Sequence, residues 1–344
     1  MTPQAREPAF WVGPWPIMGD VILAPMDGVT DPPFRQVGRM LGSAIAYTEF
    51  IHAVDILHRP QWVWNRLRPQ PWERPWFVQI YGHTVTMLVE AARRVAAMGA
   101  AAIDINMGCP DPRIVRRGAG AGLLRTPVKV ARLFRRLRQA VDIPVTAKIR
   151  LGLRDDCRNH RLMARVLEES GAALIAVHGR TQAQGYRGQA DWDAIAEVAA
   201  AVRIPVVGNG DVRTPADIER LKAHAGVAGV MIGRAAIANP WLLQRRARAE
   251  VTPAEVWRVL RWHLRANLQH YGWPRGLVLF RKFASRYLAP YGLTREQRRA
   301  LLTTDDVGEF LRRVWQVLGQ PGPGPWPEVE VPFVSAASSW ARSA

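Results

Sequence analysis

The sequence contains little cysteine and no long apolar run. Its two cysteines, Cys109 and Cys157, are too few for a disulfide framework in 344 residues, which fits a reducing compartment. No uncharged apolar stretch reaches the ~18 residues that a membrane-spanning helix needs, and the first residues lack the basic start and apolar core of a signal peptide. We therefore expect a cytoplasmic protein that does not enter a membrane.

Acidic residues and lysine are also scarce. The 29 aspartates and glutamates face 47 basic residues, of which 43 are arginine, and the net charge is +18. Such a charge favours a polyanionic partner, although the arginine bias of a GC-rich or heat-adapted genome produces the same composition. The excess is concentrated in residues 241–300, which hold 13 basic and three acidic residues.

Short apolar runs alternate with amphipathic stretches along most of the chain. This alternation predicts parallel strands joined by helical crossovers, and near-continuous apolar strands are buried on both faces. Eight such units within about 250 residues predict a TIM (β/α)8 barrel, with an open doubly wound sheet as the alternative. The expected strands are Val21–Ala24, Ala44–Thr48, Trp76–Tyr81, Ala102–Asn106, Pro144–Ile149, Ala173–His178, Pro205–Val207 and Gly229–Ile232, and the expected helices include Thr84–Met98, Pro127–Ala140, Asp156–Ser170, Trp192–Ala201 and Pro215–His224.

The strand pattern stops near residue 240. Residues 252–318 predict three or four helices, broken near Gly272–Gly276 and Pro290–Gly292. The predicted fold class is therefore α/β, a TIM barrel followed by an all-α helical domain. We expect an irregular N-terminal lead-in at 1–19, the barrel at 20–245, the helical domain at 246–320 and a flexible tail, rich in proline and glycine, at 321–344.

Polar residues follow several predicted strands, at the end of the barrel where active sites lie. Gly208 and Gly210 follow the seventh strand, and Gly233 and Arg234 the eighth. Together they predict a phosphate site, because glycine lets backbone N–H groups approach an anion and arginine adds a forked cation. Lys148, near the end of the fifth strand, needs a negative partner if it points inward; an exposed lysine is the alternative.

A cysteine lies in the turn after the fourth strand. Cys109 stands between Gly108 and Pro110, at the expected catalytic rim, where a thiol can act as a proton donor or a nucleophile. Inert packing is the alternative, because free cysteine is among the most buried residue types. Cys157 lacks such a context, and we interpret it as structural.

Taken together, these segments resemble the tRNA-dihydrouridine synthases. The resemblance runs in order from about residue 20 to 300, and the spacing is most similar to the bacterial B-type subgroup. The most discriminating segment is Asn106-Met107-Gly108-Cys109-Pro110, since the glycine loops also occur in other FMN barrels. The other matching segments are Ala24–Asp31, Val177–Thr181, Gly208–Asp211 and Met231–Arg234.

The resemblance implies a tightly bound FMN and NADPH as reductant. It implies that a hydride passes from flavin N5 to C6 of uracil in tRNA, while Cys109, the catalytic residue, protonates C5. The implied cofactor-binding residues are Pro25, Met26, Asp27, Gln79, Lys148, His178, Asn209, Gly210, Asp211, Gly233 and Arg234. Asn106 and Arg180 would face the target base, and Arg281 and Lys282 in the helical tail would contact RNA.

The chain departs from the family pattern after the Cys-Pro pair. The family commonly continues Ala-Lys-Lys-Val-Asn-Arg, whereas this chain reads Asp111-Pro112-Arg113-Ile114-Val115-Arg116. Pro112 and Val115 lack the usual polar side chains, which puts RNA contacts near this loop in doubt. Phe283 also replaces a customary histidine in the tail.

Other readings stay open from the sequence. The substrate could be ribosomal RNA, or the chain could be an FMN-barrel reductase of a small molecule such as a pyrimidine or an enone. A third alternative is an RNA-binding or chaperone protein with an inactive barrel. We expect no metal ion and no obligate protein partner, and the sequence does not predict which uridine is reduced.

Overall fold

The structure is a computed structural model, and it describes residues 7–67 and 70–319. Within these residues, short strands and helices alternate up to residue 238, and helices alone follow. The strands are β1 (Phe10–Val12), β2 (Trp15–Ile17), β3 (Val21–Leu23), β4 (Ala46–Tyr47), β5 (Ile51–His52), β6 (Trp76–Tyr81), β7 (Ala102–Met107), β8 (Val145–Arg150), β9 (Ile175–His178), β10 (Val206–Asn209) and β11 (Gly229–Ile232).

The strands from β3 onward form one parallel sheet that closes on itself. Their order is β3-β11-β10-β9-β8-β7-β6-β4, and β5 also pairs with β6, so that β4 and β5 together occupy the second position. The N–H of Ala44 donates to the C=O of Val21 at 2.9 Å and joins β3 to the segment before β4. The predicted TIM barrel is confirmed, and the open doubly wound sheet is excluded.

Helices cover the outside of the barrel and form the C-terminal part. The predicted boundaries hold where capping is clear: Thr214 and Asp217 form a capping box, and Gly99 and Gly171 adopt positive φ just beyond two helices. The helices are α1 (Pro32–Met40), α2 (Ala53–His58), α3 (Pro60–Leu67), α4 (Val85–Ala97), α5 (Pro112–Arg116), α6 (Pro127–Ala140), α7 (His160–Glu169), α8 (Trp192–Ala201), α9 (Pro215–Ala225), α10 (Arg234–Ala238), α11 (Pro253–Tyr271), α12 (Arg275–Tyr287), α13 (Arg295–Thr303) and α14 (Val307–Val317).

The described part of the N-terminal lead-in, residues 7–19, contains two strands, whereas the sequence had predicted an irregular segment at 1–19. β1 and β2 form an antiparallel hairpin, and Phe10, Val12 and Ile17 are buried in one apolar cluster with residues inside the barrel such as Val207 and Met231. The strands are too short for the alternation of apolar and polar residues to be visible in the sequence. The hairpin closes the end of the barrel at which the strands begin.

The helical domain packs against α1 and against the loop after β3. The Phe34 ring of α1 stacks on Phe283 of α12, with ring centroids 4.8 Å apart. The Tyr271 hydroxyl donates to the Asp31 carboxylate at 2.9 Å, and the Lys282 ammonium donates to the Gly28 carbonyl. The predicted all-α domain is confirmed with four helices in the described part of the chain, whereas the tail predicted at 321–344 lies outside it.

Candidate active site

A cavity of about 1320 Å³ opens at the carboxyl ends of the barrel strands. Residues from the ends of six strands line it, which is where the barrel fold predicts a site. Thirteen of the sequence-predicted residues are among the lining residues: Pro25, Met26, Asp27, Asn106, Cys109, Lys148, His178, Arg180, Asn209, Gly210, Asp211, Gly233 and Arg234.

Three predicted residues do not line the cavity. Gln79 is fully buried beneath it. Arg281 donates to the Thr304 carbonyl and pairs with Asp305 at 2.7 Å, and its side chain is only 13% exposed. Lys282 is exposed on α12, where its ammonium holds the loop after β3.

The loop after β3 is fixed by a buried carboxylate. The Gly28 N–H donates to Glu49 at 2.6 Å, and Gly28 has a φ of 68°, which favours glycine. The Arg66 guanidinium bridges Glu49 at 2.9 Å and Asp27 at 3.1 Å. No sequence motif reveals Glu49 and Arg66, because their contact with this loop is tertiary.

β8 contributes two cations to the cavity, since residues two apart in a strand share a face. The Lys148 ammonium donates to Asn209 Oδ1 at 3.1 Å, and Asn209 Nδ2 donates to the Met231 carbonyl. Burial lowers the pKa of Lys148 to about 8, and it lowers that of Arg150 to about 10. Both groups are therefore desolvated cations that an anion would stabilise.

The loop after β9 is held by Arg180, which the sequence had placed against the target base. This guanidinium is only 1% exposed and pairs with Asp211 at 2.7 Å. It also donates to the carbonyls of Arg187 and Gly188. Burial, and then the neighbouring cations, hold the pKa of His178 well below its usual value, so that its imidazole is neutral.

Cys109 lies at the rim of the cavity, and its loop is anchored from below. Asn106 Oδ1 accepts hydrogen bonds from the Cys109 N–H at 2.9 Å and the Gly108 N–H at 3.1 Å. Arg150 donates to the Gly108 carbonyl at 2.7 Å. Burial raises the pKa of the Cys109 thiol, which therefore carries its proton at neutral pH.

A row of buried polar side chains continues beneath Asn106. Asn106 Nδ2 donates to Gln79 Oε1 at 2.8 Å, and Gln79 Nε2 donates to Asp104 at 2.6 Å. The Thr146 hydroxyl donates to the other oxygen of Asp104 at 2.5 Å. Asn106 and Gln79 thus use their amides to position the thiol loop, a function that their sequence motif does not reveal.

The cavity carries more positive charge than its own carboxylates balance. Its three lining aspartates, Asp27, Asp111 and Asp211, each pair with an arginine. In the described chain, no carboxylate lies within ion-pair distance of Lys148 or Arg234. The site therefore favours an anionic ligand.

An exposed aromatic ring stands at the edge of the cavity. Tyr186 is 57% exposed, and the guanidinium of Arg234 lies 4.4 Å from its ring centroid. No sequence motif predicts a role for Tyr186, because the residues around it are those of an ordinary loop. A large exposed ring over a cavity offers a surface on which a planar ligand can stack.

Two kinds of feature are absent from the described residues. No helix among them is long and apolar enough to cross a membrane. No group of three or more histidine, cysteine, aspartate or glutamate side chains in 7–67 and 70–319 is arranged to hold a metal ion.

Comparison with known proteins agrees with this geometry. The chain is 36% identical to tRNA-dihydrouridine synthase B of Pseudomonas syringae pv. tomato, over 92% of this chain and 96% of that protein. It is 40% identical to the protein of that name from Xanthomonas axonopodis pv. citri, over 80% of this chain and 86% of the relative.

A solved structure resembles the chain in fold alone. A 2-naphthoyl-CoA reductase in complex with 2-naphthoyl-CoA aligns with a TM-score of 0.56 at 10% identity, covering 68% of this chain and 51% of that one. The sequence pattern of the family described as dihydrouridine synthase matches residues 22–317. This match spans both the barrel and the helical domain, and the chain belongs to the dihydrouridine synthase family.

Proposed function

We propose that this protein is a tRNA-dihydrouridine synthase, which uses FMN and NADPH to reduce the C5–C6 double bond of uridines in tRNA. The observation that carries the proposal is the thiol of Cys109, held by the Asn106 side chain at the rim of a cationic barrel cavity. Family membership and the names of the relatives support it. The natural place for such a reaction is the cytoplasm, where tRNA is found.

The residues of the cavity fit FMN. The desolvated Lys148 ammonium has one side-chain partner, Asn209, and would meet the anionic edge of the ring. Arg234 has no carboxylate partner in the described chain and would meet the phosphate. A Cβ at Gly233 would make only ordinary contacts, with Met26 Sδ and Ala24 Cβ, so the space beside its backbone is open to a ligand.

The other implied cofactor residues divide into two groups. Pro25, Met26 and His178 line the cavity and would contact the ring, while Gly210 and Asn209 would border the ribityl phosphate. Asp27, Asp211 and Gln79 already use their polar atoms on Arg66, Arg180 and the Asp104–Asn106 pair. We propose that these three position neighbouring residues around the cofactor.

The chemistry then divides between the cofactor and the chain. When bound, FMN would supply the hydride for C6 of uracil, and NADPH would then reduce the FMN again. Cys109 would hold the proton for C5, and the raised pKa of its thiol keeps that proton on the sulfur until the uridine base binds. The target uridine must leave its base stack to reach the cavity, where Tyr186 offers a stacking surface.

The test is reconstitution with purified components. We expect the purified protein to retain stoichiometric FMN and, with NADPH and unmodified tRNA, to form dihydrouridine that mass spectrometry locates at defined positions. Ribosomal RNA serves as the competing substrate, and a set of free pyrimidines and enones as the small-molecule substrates. A colourless protein that cannot be loaded with FMN would exclude the proposal, and faster reduction of rRNA or of a small molecule would reassign the substrate.

A further inference from the structure

The flank of the barrel that follows Cys109 is strongly basic. Residues 112–141 contain nine arginines and lysines and no aspartate or glutamate. Its net charge of +9 over 30 residues is a higher density than the net +10 over the 60 residues 241–300, although the segment belongs to the barrel. It comprises α5, a short 3-10 turn and α6.

The basic side chains of this segment point to solvent. On α6, the face formed by Val130, Leu133, Phe134 and Leu137 is buried against the barrel, which leaves the charged face outside. Eight of the nine basic residues are exposed, and Lys129 is half-buried. We call the exposed set the flank surface; it consists of Arg113, Arg116, Arg117, Arg125, Arg132, Arg135, Arg136 and Arg138.

Almost none of this charge is neutralised by the protein itself. Within the described residues, Arg113 is the member of the flank surface that forms an ion pair, with Asp111 at 2.7 Å. That pair is exposed, so water screens it strongly. On the neighbouring helix α4, Glu90 is engaged by Arg93 and Arg94 of the same helix. The flank surface therefore presents a field that a polyanion would satisfy.

The flank surface is continuous with the mouth of the cavity. Asp111, Pro112 and Arg113 line the cavity, directly after the Cys109 rim. From there α6 runs back along the barrel, and its 14 residues extend about 21 Å. A nucleic acid backbone of this length contains several phosphates.

The strand order places the helical domain on the other side of the mouth. That domain packs beside α1 and α10, which follow β3 and β11. The flank surface follows β7, which lies four positions from β11 in the eight-membered barrel. The two basic regions therefore stand on opposite sides of the cavity.

We propose that the flank surface is a second binding surface for the RNA backbone, so that the RNA is held from two sides while one base enters the cavity. The proposal depends on the proposed function for the identity of the RNA as tRNA. Seven of the eight arginines of the flank surface lie on the barrel flank and away from the cavity, with Arg113 alone at the rim, so we expect the surface to recognise phosphate charge and not base sequence. Pro112 and Val115 lack the polar side chains that are usual in the family. The affinity for RNA on this side would therefore come from the arginines of the loop and of α6.

The experiment measures how tRNA affinity depends on salt. In Arg132→Glu with Arg136→Glu, one turn apart on α6, we expect the slope of log K against log [salt] to become shallower by about 2. Affinity near 0.15 M salt should fall on the order of 10- to 100-fold. In multiple turnover KM should rise while kcat stays within about twofold, because neither residue lines the cavity.

The matched control has the same change in net charge elsewhere. Arg74→Glu with Arg203→Glu alters two exposed arginines that form no ion pair in the described chain, one shortly before β6 and one shortly before β10. We expect it to keep most of the wild-type salt slope and affinity. Thermal unfolding and FMN content of both variants verify folding; should the double reversal unfold the protein, Arg132→Gln with Arg136→Gln replaces it, with a smaller loss of the same kind.

Each outcome decides the matter. A wild-type slope in the α6 variant, or an equal loss in the control, would refute the flank surface as an RNA site. Loss of binding to anionic phospholipid vesicles with unchanged tRNA affinity would assign the surface to a membrane and also refute it. If the protein binds tRNA through α6 but forms no dihydrouridine, the proposed function fails and this inference stands; normal dihydrouridine formation with an inert α6 gives the reverse.

Discussion

At the scale of single residues, the thiol of Cys109 is the group on which the proposed reaction depends. Burial raises its pKa, which suits a proton donor and argues against a nucleophilic thiolate. Cys157 is exposed in a 3-10 turn and does not line the cavity. The two cysteines of the chain thus form a natural pair of test and control.

We predict that Cys109→Ala slows uridine reduction in a single turnover by about 10²- to 10⁴-fold, the usual contribution of a positioned acid. Oxidation of NADPH and affinity for tRNA should not change, since neither needs the proton. Rapid-quench measurement of dihydrouridine in a single turnover provides the rate. Cys157→Ser should match the wild type, and full activity in the Cys109 variant would reject the acid role.

The row of polar residues beneath Cys109 has a fixed direction. A carboxylate only accepts hydrogen bonds and a backbone N–H only donates, so the two ends determine how the amides of Gln79 and Asn106 must point. Asn106→Asp places an acceptor where Gln79 needs a donor. Flipping Gln79 does not resolve this, because its oxygen would then face Asp104.

We predict that Asn106→Asp lowers the melting temperature by on the order of 5 °C, the effect of one unsatisfied buried group. Asp104→Asn in the same chain should restore most of it, since the new amide at this position can donate to the flipped Gln79. Asp104→Leu removes the same charge but offers no donor and serves as the matched control. Calorimetry of the three variants decides, and equal rescue by leucine would show that charge alone matters.

The contacts that the sequence could not predict are those whose partners come from other strands. Motif order identified the side chains around the cavity, because strand ends must meet at one end of a barrel. It did not identify which of these side chains form hydrogen bonds or ion pairs with one another. Arg180 was expected at the target base but pairs with Asp211, and that pairing depends on the three-dimensional register of β9 and β10.

At the scale of elements, the junction between the barrel and the helical domain contains a costly group. The Asp31 carboxyl is only 4% exposed, and burial raises its pKa from 3.8 to about 6. It caps α1 by accepting from the Phe34 N–H and also accepts from Tyr271 of α11. The folded state binds its proton more tightly than the unfolded state does, so this group reduces stability as the pH rises from about 4 to about 6.

We predict that Asp31→Asn removes this loss. Asparagine is also a good N-cap, so α1 should keep its start. The unfolding free energy of the variant relative to wild type should increase between pH 4 and pH 7, by up to about 3 kcal/mol for a shift of about two pKa units. Urea unfolding at several pH values measures it, and the comparison cancels the contribution of Asp104. Parallel stability curves would contradict the prediction.

The elements themselves were predictable where their signals are local. Apolar runs between turns indicated all eight barrel positions, and the Thr214–Pro215 pair fixed the start of α9. The β1–β2 hairpin was not predictable, because three-residue strands contain too few side chains for an alternating pattern. The division of the second barrel position into β4 and β5 was missed for the same reason.

At the scale of the whole molecule, the net charge predicts a polyanionic partner but does not predict where on the surface that partner binds. The sequence placed the RNA contacts in the helical domain, in Arg281 and Lys282. Arg281 is largely buried and engaged with Asp305, and reversing it would disturb the domain itself. Lys282 holds the loop after β3, so Arg275→Glu with Arg286→Glu, two exposed positions on α12 that form no ion pair in the described chain, probes this side more cleanly.

If both sides bind the RNA, their contributions to the binding free energy should add. The fold-losses of the α12 pair and of the Arg132 and Arg136 pair should then multiply when combined in one chain, because the two surfaces share no residue. Fluorescence anisotropy with labelled tRNA at several salt concentrations gives the four affinities. A combined loss no greater than the larger single loss would show that one side suffices.

The hairpin of β1 and β2 has a consequence for the order of events. In the described structure the hairpin covers the end of the barrel at which the strands begin, and the cavity opens at the opposite end. Under the proposed reaction, NADPH and a uridine base would both use this opening. Under that proposal we expect an ordered reaction, in which the oxidised nicotinamide leaves before the uridine base binds.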